Sequence, residues 1–425
     1  MDFALLGVDL QTLELVRAIA TGSPHRLVCA CELGPHATEI KRLIPDLRLV
    51  DNWESLLETS TTEAVIVASS LEEQPRAEQL RTLVQAGVAL LVSHPVYPSM
   101  LIYYELDMIR EESSAPLLAN LPARWHPAIE RLRALLVGDG HLPIGKVEQI
   151  VFDRETPLRA RADVRAQFAR DADLVRALCG ELATIGAMGQ TAGAADDTNL
   201  GVQLAADNGL LVRWAAAPAD SSATGRISLL GASGRARLDM PEGGASWTLE
   251  IAAAGQSHRE TFPDWSAPAT ILDCMERLTS GQPLGLAWSD AARSVEIAEA
   301  LDRSLAKRRQ IDLHQETFSE ESTFKGTMAA LGCALLLSCA ALFLLAGVAE
   351  ALGVPHADNV LYLMAAALVI FLALQLLRLA LPRARSAPPP GRRAQFGLGA
   401  IFAVLTGSAI FLALARRLAE RLLDH

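Results

Sequence analysis

The sequence predicts an α/β chain: a parallel sheet with crossover helices, then an α+β domain on a mostly antiparallel sheet, then three C-terminal transmembrane helices. Three observations predict it. Over residues 1–121 short apolar runs alternate with helix-length segments, the pattern of strands joined by crossover helices. From Val151 strand-like runs are separated by Gly, Asp and Pro turns, and long helical segments flank them. From Gly326 the chain is mostly apolar. The 425 residues are 51% hydrophobic and 20% charged with a mean hydropathy of +0.24, and the tail carries the apolar excess. About 320 residues before it are enough for two domains, placed at 1–121 and 122–316.

The elements follow in order. Phe3–Gly7 is a short apolar run, and Leu13, Val16 and Ile19 recur at helical spacing after it. A strand is expected at Arg26–Cys31, ending at the acid Glu32, then a helix to about Leu43 and a short one closing at Leu56 and Leu57. Ala64–Ala68 and Val88–Val92 read as strands around a helix at Ala77–Ala86. In the second domain, strands are expected at Leu210–Ala216, Arg226–Leu230, Ala236–Met240 and Ser246–Ile251. Helices are expected at Arg165–Leu178 and Ala291–Ala306.

The tail holds three uncharged stretches, 326–349, 359–377 and 394–415, each 19 to 24 residues long. A helix needs about 20 apolar residues to cross the hydrocarbon core. The spans are therefore placed at 326–349, 359–381 and 394–415. Arg378, Arg383, Arg385, Arg392 and Arg393 follow the second uncharged stretch and precede the third, and the loop 350–358 has no Lys or Arg. The positive-inside rule then puts the arginine loop and the globular domains on the cytoplasmic face of the inner membrane. Arg416, Arg417 and Arg421 fall on the opposite side in that arrangement, so the third segment is also compatible with an interfacial helix. Arg378, near the end of the second span, is the one charged side chain in the three, and none lies mid-span, which fits an anchor better than a transporter.

Composition excludes several classes. A net charge of −11 and 5% aromatics offer nothing to a polyphosphate or a stacked base, so no nucleic-acid partner is expected. Six cysteines form no C-x-x-C pair, and no His, Cys or Asp spacing points to a metal. The start has no basic region before its short apolar run, so no signal peptide is expected.

The turn after the first strand is where a dinucleotide sits on such a sheet. It calls for G-x-G-x-x-G, because glycines let the backbone approach the pyrophosphate at a helix N-terminus. Here those positions are Gly7, Asp9 and Thr12, and a carboxylate at Asp9 repels a phosphate. Glu32 fits the acceptor for a ribose hydroxyl, and equally a solvated acid at a strand end.

Further landmarks resemble the glucose–fructose oxidoreductase, inositol dehydrogenase and rhizopine-type (Gfo/Idh/MocA) family over roughly residues 3–315. Gln85-Ala86-Gly87-Val88-Ala89-Leu90-Leu91-Val92-Ser93-His94-Pro95 is similar to the family's A-G-K-H-V-x-x-E-K-P. Arg124-Trp125-His126-Pro127 resembles its R-[FYW]-x-P, and Leu142–Val147 its entry to the second sheet. Asp173–Glu181 is similar to the helix after its catalytic histidine, and Gly231–Leu238 resembles its G-x-x-G strand turn. The resemblance implies a Rossmann-like first domain, NAD or NADP as cofactor, and a sugar, cyclitol or sugar nucleotide as ligand. It also implies a homo-oligomer. Carried onto this sequence, the cofactor-binding positions are Gly7, Asp9, Thr12, Glu32, Ser69, Ser93 and Pro95, and the catalytic positions are His94, Arg170 and Asp173. The chemistry departs from the family at each of its main points: the lysine of E-K-P is His94, and the histidine of H-x-x-D is Arg170. The family's third-strand histidine is replaced by Arg76 or Gln74.

Two readings follow. In one, the chain is a catalytically degenerate relative that binds a nucleotide or sugar, or acts as a scaffold at the membrane. Asp173 is then a helix-surface acid paired with Arg170 or Arg176, and His94 a loop residue. In the other, the chain is an active NAD(P)-dependent oxidoreductase in which His94 replaces the lysine and Asp173 orients it.

Overall fold

The computed structural model describes residues 1–313 apart from 59–61, 71–72, 138–142, 190–198, 220–222, 242–245 and 264. The three expected membrane spans lie outside the described residues. Among the described residues no helix is long and apolar enough to cross a membrane.

The first sheet is built from β1 (Asp2–Leu6), β2 (Arg26–Cys31), β3 (Arg48–Leu49), β4 (Ala64–Val67), β5 (Leu90–Val92) and β6 (Leu117–Ala119). Its order is β3-β2-β1-β4-β5-β6, and its neighbouring strands pair in parallel. The crossovers carry α1 (Leu10–Ala20), α2 (Ala37–Leu43), α3 (Ser55–Glu58), α4 (Glu73–Gln85) and α5 (Met100–Ser113). A parallel sheet covered on both faces reads as continuous apolar strands, and β4, β5 and β6 are buried at every residue. This is the Rossmann-like sheet that the sequence predicts.

After α6 (Pro127–Val137) comes a nine-stranded sheet. Its strands are β7 (Val147–Thr156), β8 (Leu182–Met188), β9 (Leu200–Ala206), β10 (Leu211–Pro218), β11 (Thr224–Gly231), β12 (Gly234–Pro241), β13 (Trp247–Ala253), β14 (Gln256–Phe262) and β15 (Ile311–Asp312). Their order is β14-β13-β12-β11-β7-β10-β9-β8-β15, with only β7 and β10 parallel. Alternation along β7 buries Ile150, Phe152 and Arg154 under α7 (Arg161–Cys179). Asp153, Arg226, Arg237 and Asp239 sit on the other, half-exposed face. Gly231 ends β11 where a Cβ would lie 2.2 Å from the Ile144 carbonyl oxygen, so the close approach of these backbones needs a glycine.

Two further helices, α8 (Ala267–Thr279) and α9 (Trp288–Lys307), return the chain to the first sheet before it closes on the second. Ile271, Leu272 and Met275 of α8 pack into the core of the parallel sheet, although they lie within 122–316. The first half of α9 joins the same core through Trp288, Ala291 and Val295. Its second half, Ile297, Leu301 and Leu305, belongs to the core under the nine-stranded sheet. Both sheets lie within one compact unit, Met1–Gln315.

Candidate functional site

The positions carried over by resemblance follow the carboxyl ends of β1, β2, β4 and β5, and α7 and α9 bring Arg170 and Ser294 to His94. β1 ends at Gly7, whose φ of +76° is the left-handed region glycine favours. Asp9 then caps α1. Its Oδ1 accepts from the Thr12 amide at 2.8 Å, and the Thr12 hydroxyl accepts from the Asp9 amide at 2.9 Å, a reciprocal capping box. The second carboxylate oxygen accepts from the Ser69 amide at 2.7 Å and the Ser69 hydroxyl at 2.8 Å. The N-terminus of a helix is a ready-made anion site, and here the chain's own carboxylate sits in it.

Arg76, from α4, closes the turn from above. Its Nη2 lies 2.6 Å from where a Cβ on Gly7 would be, and 3.3 Å from Glu32 Oε2. Gln79 donates to the other oxygen of Glu32. Burial pulls the Arg76 guanidinium below its ordinary pKa, against the pull of Glu32, Cys31 and Asp9. Glu32 thus faces an internal cation and amide. A carboxylate at the helix N-terminus and a guanidinium over the glycine do not fit the pyrophosphate of a dinucleotide.

His94 follows β5 and is fully buried. The Ser294 hydroxyl donates its proton to the Ala291 carbonyl at 2.7 Å, so it accepts from His94 Nε2 at 2.8 Å. The Tyr103 hydroxyl accepts from the Val96 amide at 2.8 Å and donates to His94 Nδ1 at 3.3 Å. These directions fix the imidazole as the neutral Nε2–H tautomer with both nitrogens engaged. Burial, with help from the Arg170 and Arg124 guanidiniums, pushes its pKa down to about 3. The His94 backbone is clasped as well: Gln11 Nε2 donates to its carbonyl at 2.7 Å, and its amide donates to Gln11 Oε1 at 3.2 Å. The His94–Pro95 peptide is cis. Ser93 is buried, with its amide donating to the Val67 carbonyl at 2.9 Å.

Arg170 and Asp173 sit one turn apart on α7 and do different things. Arg170 donates to the His94 carbonyl at 3.2 Å and to Gln167 Oε1 at 2.7 Å, so it meets the backbone of His94 rather than its ring. Asp173 is 1% exposed, which corrects its reading as a helix-surface acid. Its partner is neither Arg170 nor Arg176 but Arg124, bidentate at 2.6 and 2.7 Å. The ion pairs continue through Asp290, 3.4 Å from Arg124 and 3.2 Å from Arg176. Arg176 pairs with Glu181, which lies 3.6 Å from Arg293, and Arg293 pairs with Glu296. This chain of charges joins the turn at Arg124 to α7 and α9.

Sequence reasoning gave no role to Tyr103, Ser294, Gln11, Asp290 and Arg293. Ser294 is 200 positions from His94, and Asp173 is 49 from Arg124, so no local spacing announces either pair. The Arg124 motif was visible, but not its partner. His126 is stacked on Trp247 at 3.7 Å and accepts from the Ala128 amide at 3.1 Å, a packing role. Two concavities, of about 450 and 380 Å³, are lined by Ala37, Lys41 and Leu49 and by Leu56, Gly87 and Pro116 respectively. Neither is lined by Gly7, Asp9, His94, Arg170 or Asp173.

No protein-family model matches the chain, and no curated protein does. Solved structures do match in fold, and these neighbours are oxidoreductases of the Gfo/Idh/MocA type. An oxidoreductase from Agrobacterium radiobacter, solved with NAD+, L-tartaric acid and magnesium, is 16% identical with a TM-score of 0.61, covering 73% of this chain and 98% of that one. A 3-ketoreductase from Actinomadura kijaniata, solved with NADP and TDP-benzene, is 15% identical with a TM-score of 0.61, covering 72% and 97%. An aldose–aldose oxidoreductase from Caulobacter crescentus, complexed with glycerol, is 14% identical with a TM-score of 0.61, covering 74% and 99%. At these identities the likeness is one of fold. It bears out the expected Rossmann-like and mixed-sheet domains and the association of that fold with NAD(P).

Proposed function

We propose that the chain is a membrane-tethered protein of this oxidoreductase fold that has lost hydride transfer and acts as a binding or scaffolding module. One observation carries the reading: the imidazole at the position of the family lysine is sealed from solvent and hydrogen-bonded at both nitrogens. An acid/base group must reach the proton it moves, and among the described residues the His94 ring hydrogen-bonds only Ser294 and Tyr103. The turn supports the same reading, since Asp9 and Arg76 take the places of the pyrophosphate and the glycine's open face. NAD or NADP is then at most a weak ligand, and a sugar or sugar nucleotide in the cleft is a partner of the module rather than a substrate. Self-association through the half-exposed face of the nine-stranded sheet belongs to the same reading. The tether is the apolar tail, with the globular domains on the cytoplasmic face by the arginine count of its loops.

The test is a thermal-shift titration of the full chain in detergent with NADH and NADPH. A ligand at about 100 times its dissociation constant stabilises the fold by about 2.7 kcal/mol, a shift of several degrees. No shift is expected at millimolar dinucleotide; a saturable shift overturns the reading and returns the chain to the dehydrogenases. For the tether, a cysteine introduced into 350–358 is expected to be labelled from outside intact cells. Labelling of the 383–393 loop instead inverts the orientation.

A further inference from the structure

His25 lies just before β2 and is 3% exposed, and its Nε2 has no hydrogen-bond partner among the described residues. The rest of the residue is held in place: its amide donates to the Ser23 hydroxyl at 3.2 Å, and the ring packs edge-on to Phe3 with centroids 5.6 Å apart. Nδ1 is 3.3 Å from the α-amino nitrogen of Met1, itself 3.9 Å from Glu63. Nε2 points out of the core at one turn of α8. There Asp273 Oδ1 is 3.6 Å away, longer than a hydrogen bond, and Glu276 stands beside it. One ligand atom from each of His25, Asp273 and Glu276 lies within 4.8 Å of the others.

We propose that His25, Asp273 and Glu276 form a binding site for a divalent transition ion of the zinc class. A buried imidazole nitrogen without a partner is costly, and a metal supplies the partner that neither carboxylate reaches. Two bonds of about 2.0–2.2 Å span at most about 4.4 Å, so rotation of the two exposed carboxylates closes the set around one ion. The imidazole selects zinc, cobalt, nickel or copper over magnesium and calcium, which take oxygen alone. The carboxylates cancel the ion's charge, and solvent completes its coordination. The ion ties α8 to the start of β2, where the late helix meets the first sheet. Neither residue spacing nor a motif announces it, because the ligands lie at opposite ends of the described chain.

The probes are Zn2+ and Co2+, titrated into the full chain in detergent after dialysis against a chelator. One equivalent of Zn2+ is expected to bind, and bound Co2+ is expected to show d–d absorption without thiolate charge-transfer bands. Asp273→Asn and Glu276→Gln change exposed side chains, and each is expected to weaken Zn2+ by roughly tenfold or more. His25→Gln abolishes binding; the two surface variants keep the proposal testable if that one fails to fold. Zn2+ affinity unchanged in the Asp273→Asn, Glu276→Gln double variant overturns the site. So does the absence of binding at millimolar ion, or a thiolate band that places the metal on cysteine.

Discussion

Asp173→Ala is expected to destabilise the protein by about 3–5 kcal/mol, the usual cost of removing one partner from a buried ion pair. The alanine strands a guanidinium that is itself nearly buried, since Arg124 keeps only the longer contacts to Asp290 and the Gly285 carbonyl at 3.4 and 3.3 Å. At roughly 2 °C per kcal/mol for a fold of this size, Tm falls by roughly 6–10 °C. A group kept only for catalysis predicts a different result, lost turnover with the melting curve in place. Circular-dichroism melts of the variant distinguish the two. Pairing Asp173→Leu with Arg124→Met should recover much of the loss, because an apolar pair of similar volume carries no stranded charge. A melt within 2 °C of the parent protein for Asp173→Ala would show that the pair contributes nothing to the fold.

The second large effect is acid sensitivity. An unfolded imidazole titrates near 6.5, whereas the folded His94 refuses its proton down to about 3. Between those values the unfolded chain binds the extra proton, so stability is whole above pH 6.5 and is lost as pH falls from there toward 3. By pH 5 the loss from His94 alone is about 2 kcal/mol, at about 1.36 kcal/mol per pH unit once below 6.5. Burial lowers His126 to about 4 and adds to the loss with the same sign. Tm measured from pH 7.5 to 5 is expected to fall, and to fall less steeply in His94→Gln. The amide can still face Ser294 and Tyr103 but takes up no proton. Parallel slopes in the two proteins would mean that His94 titrates as it does in water.

How much of this was legible depended on how local each signal is. β4 and β5 sit where apolar runs marked them, because strands buried on both faces have no polar residues to blur them. β14 left no such mark. It is an edge strand whose Gln256, Ser257, His258 and Arg259 are all exposed, and it is set only by pairing with β13 through the left-handed Ala254 and Gly255. The loss of the glycine turn was visible in Asp9, but its structural use was not: the carboxylate caps α1 and holds Ser69, and Ser69 is 60 residues away. His94 was marked as a replacement for the family lysine, yet its burial comes from α9, 200 positions later. The composition of a segment records its own neighbours, and ion pairs across a fold are recorded nowhere along the chain.

The path of α9 has a mechanical consequence. Its first turns are anchored in the core of the parallel sheet and its last turns in the core of the nine-stranded sheet, as one helix of 20 residues. Pulling either sheet away must extract half of that rod from its socket or snap the rod between Val295 and Ile297. The lobes therefore do not open about a free joint, and the space between them has a width set by the helix. A molecule built this way is a strut: it holds whatever docks on one lobe at a fixed distance and angle from whatever docks on the other.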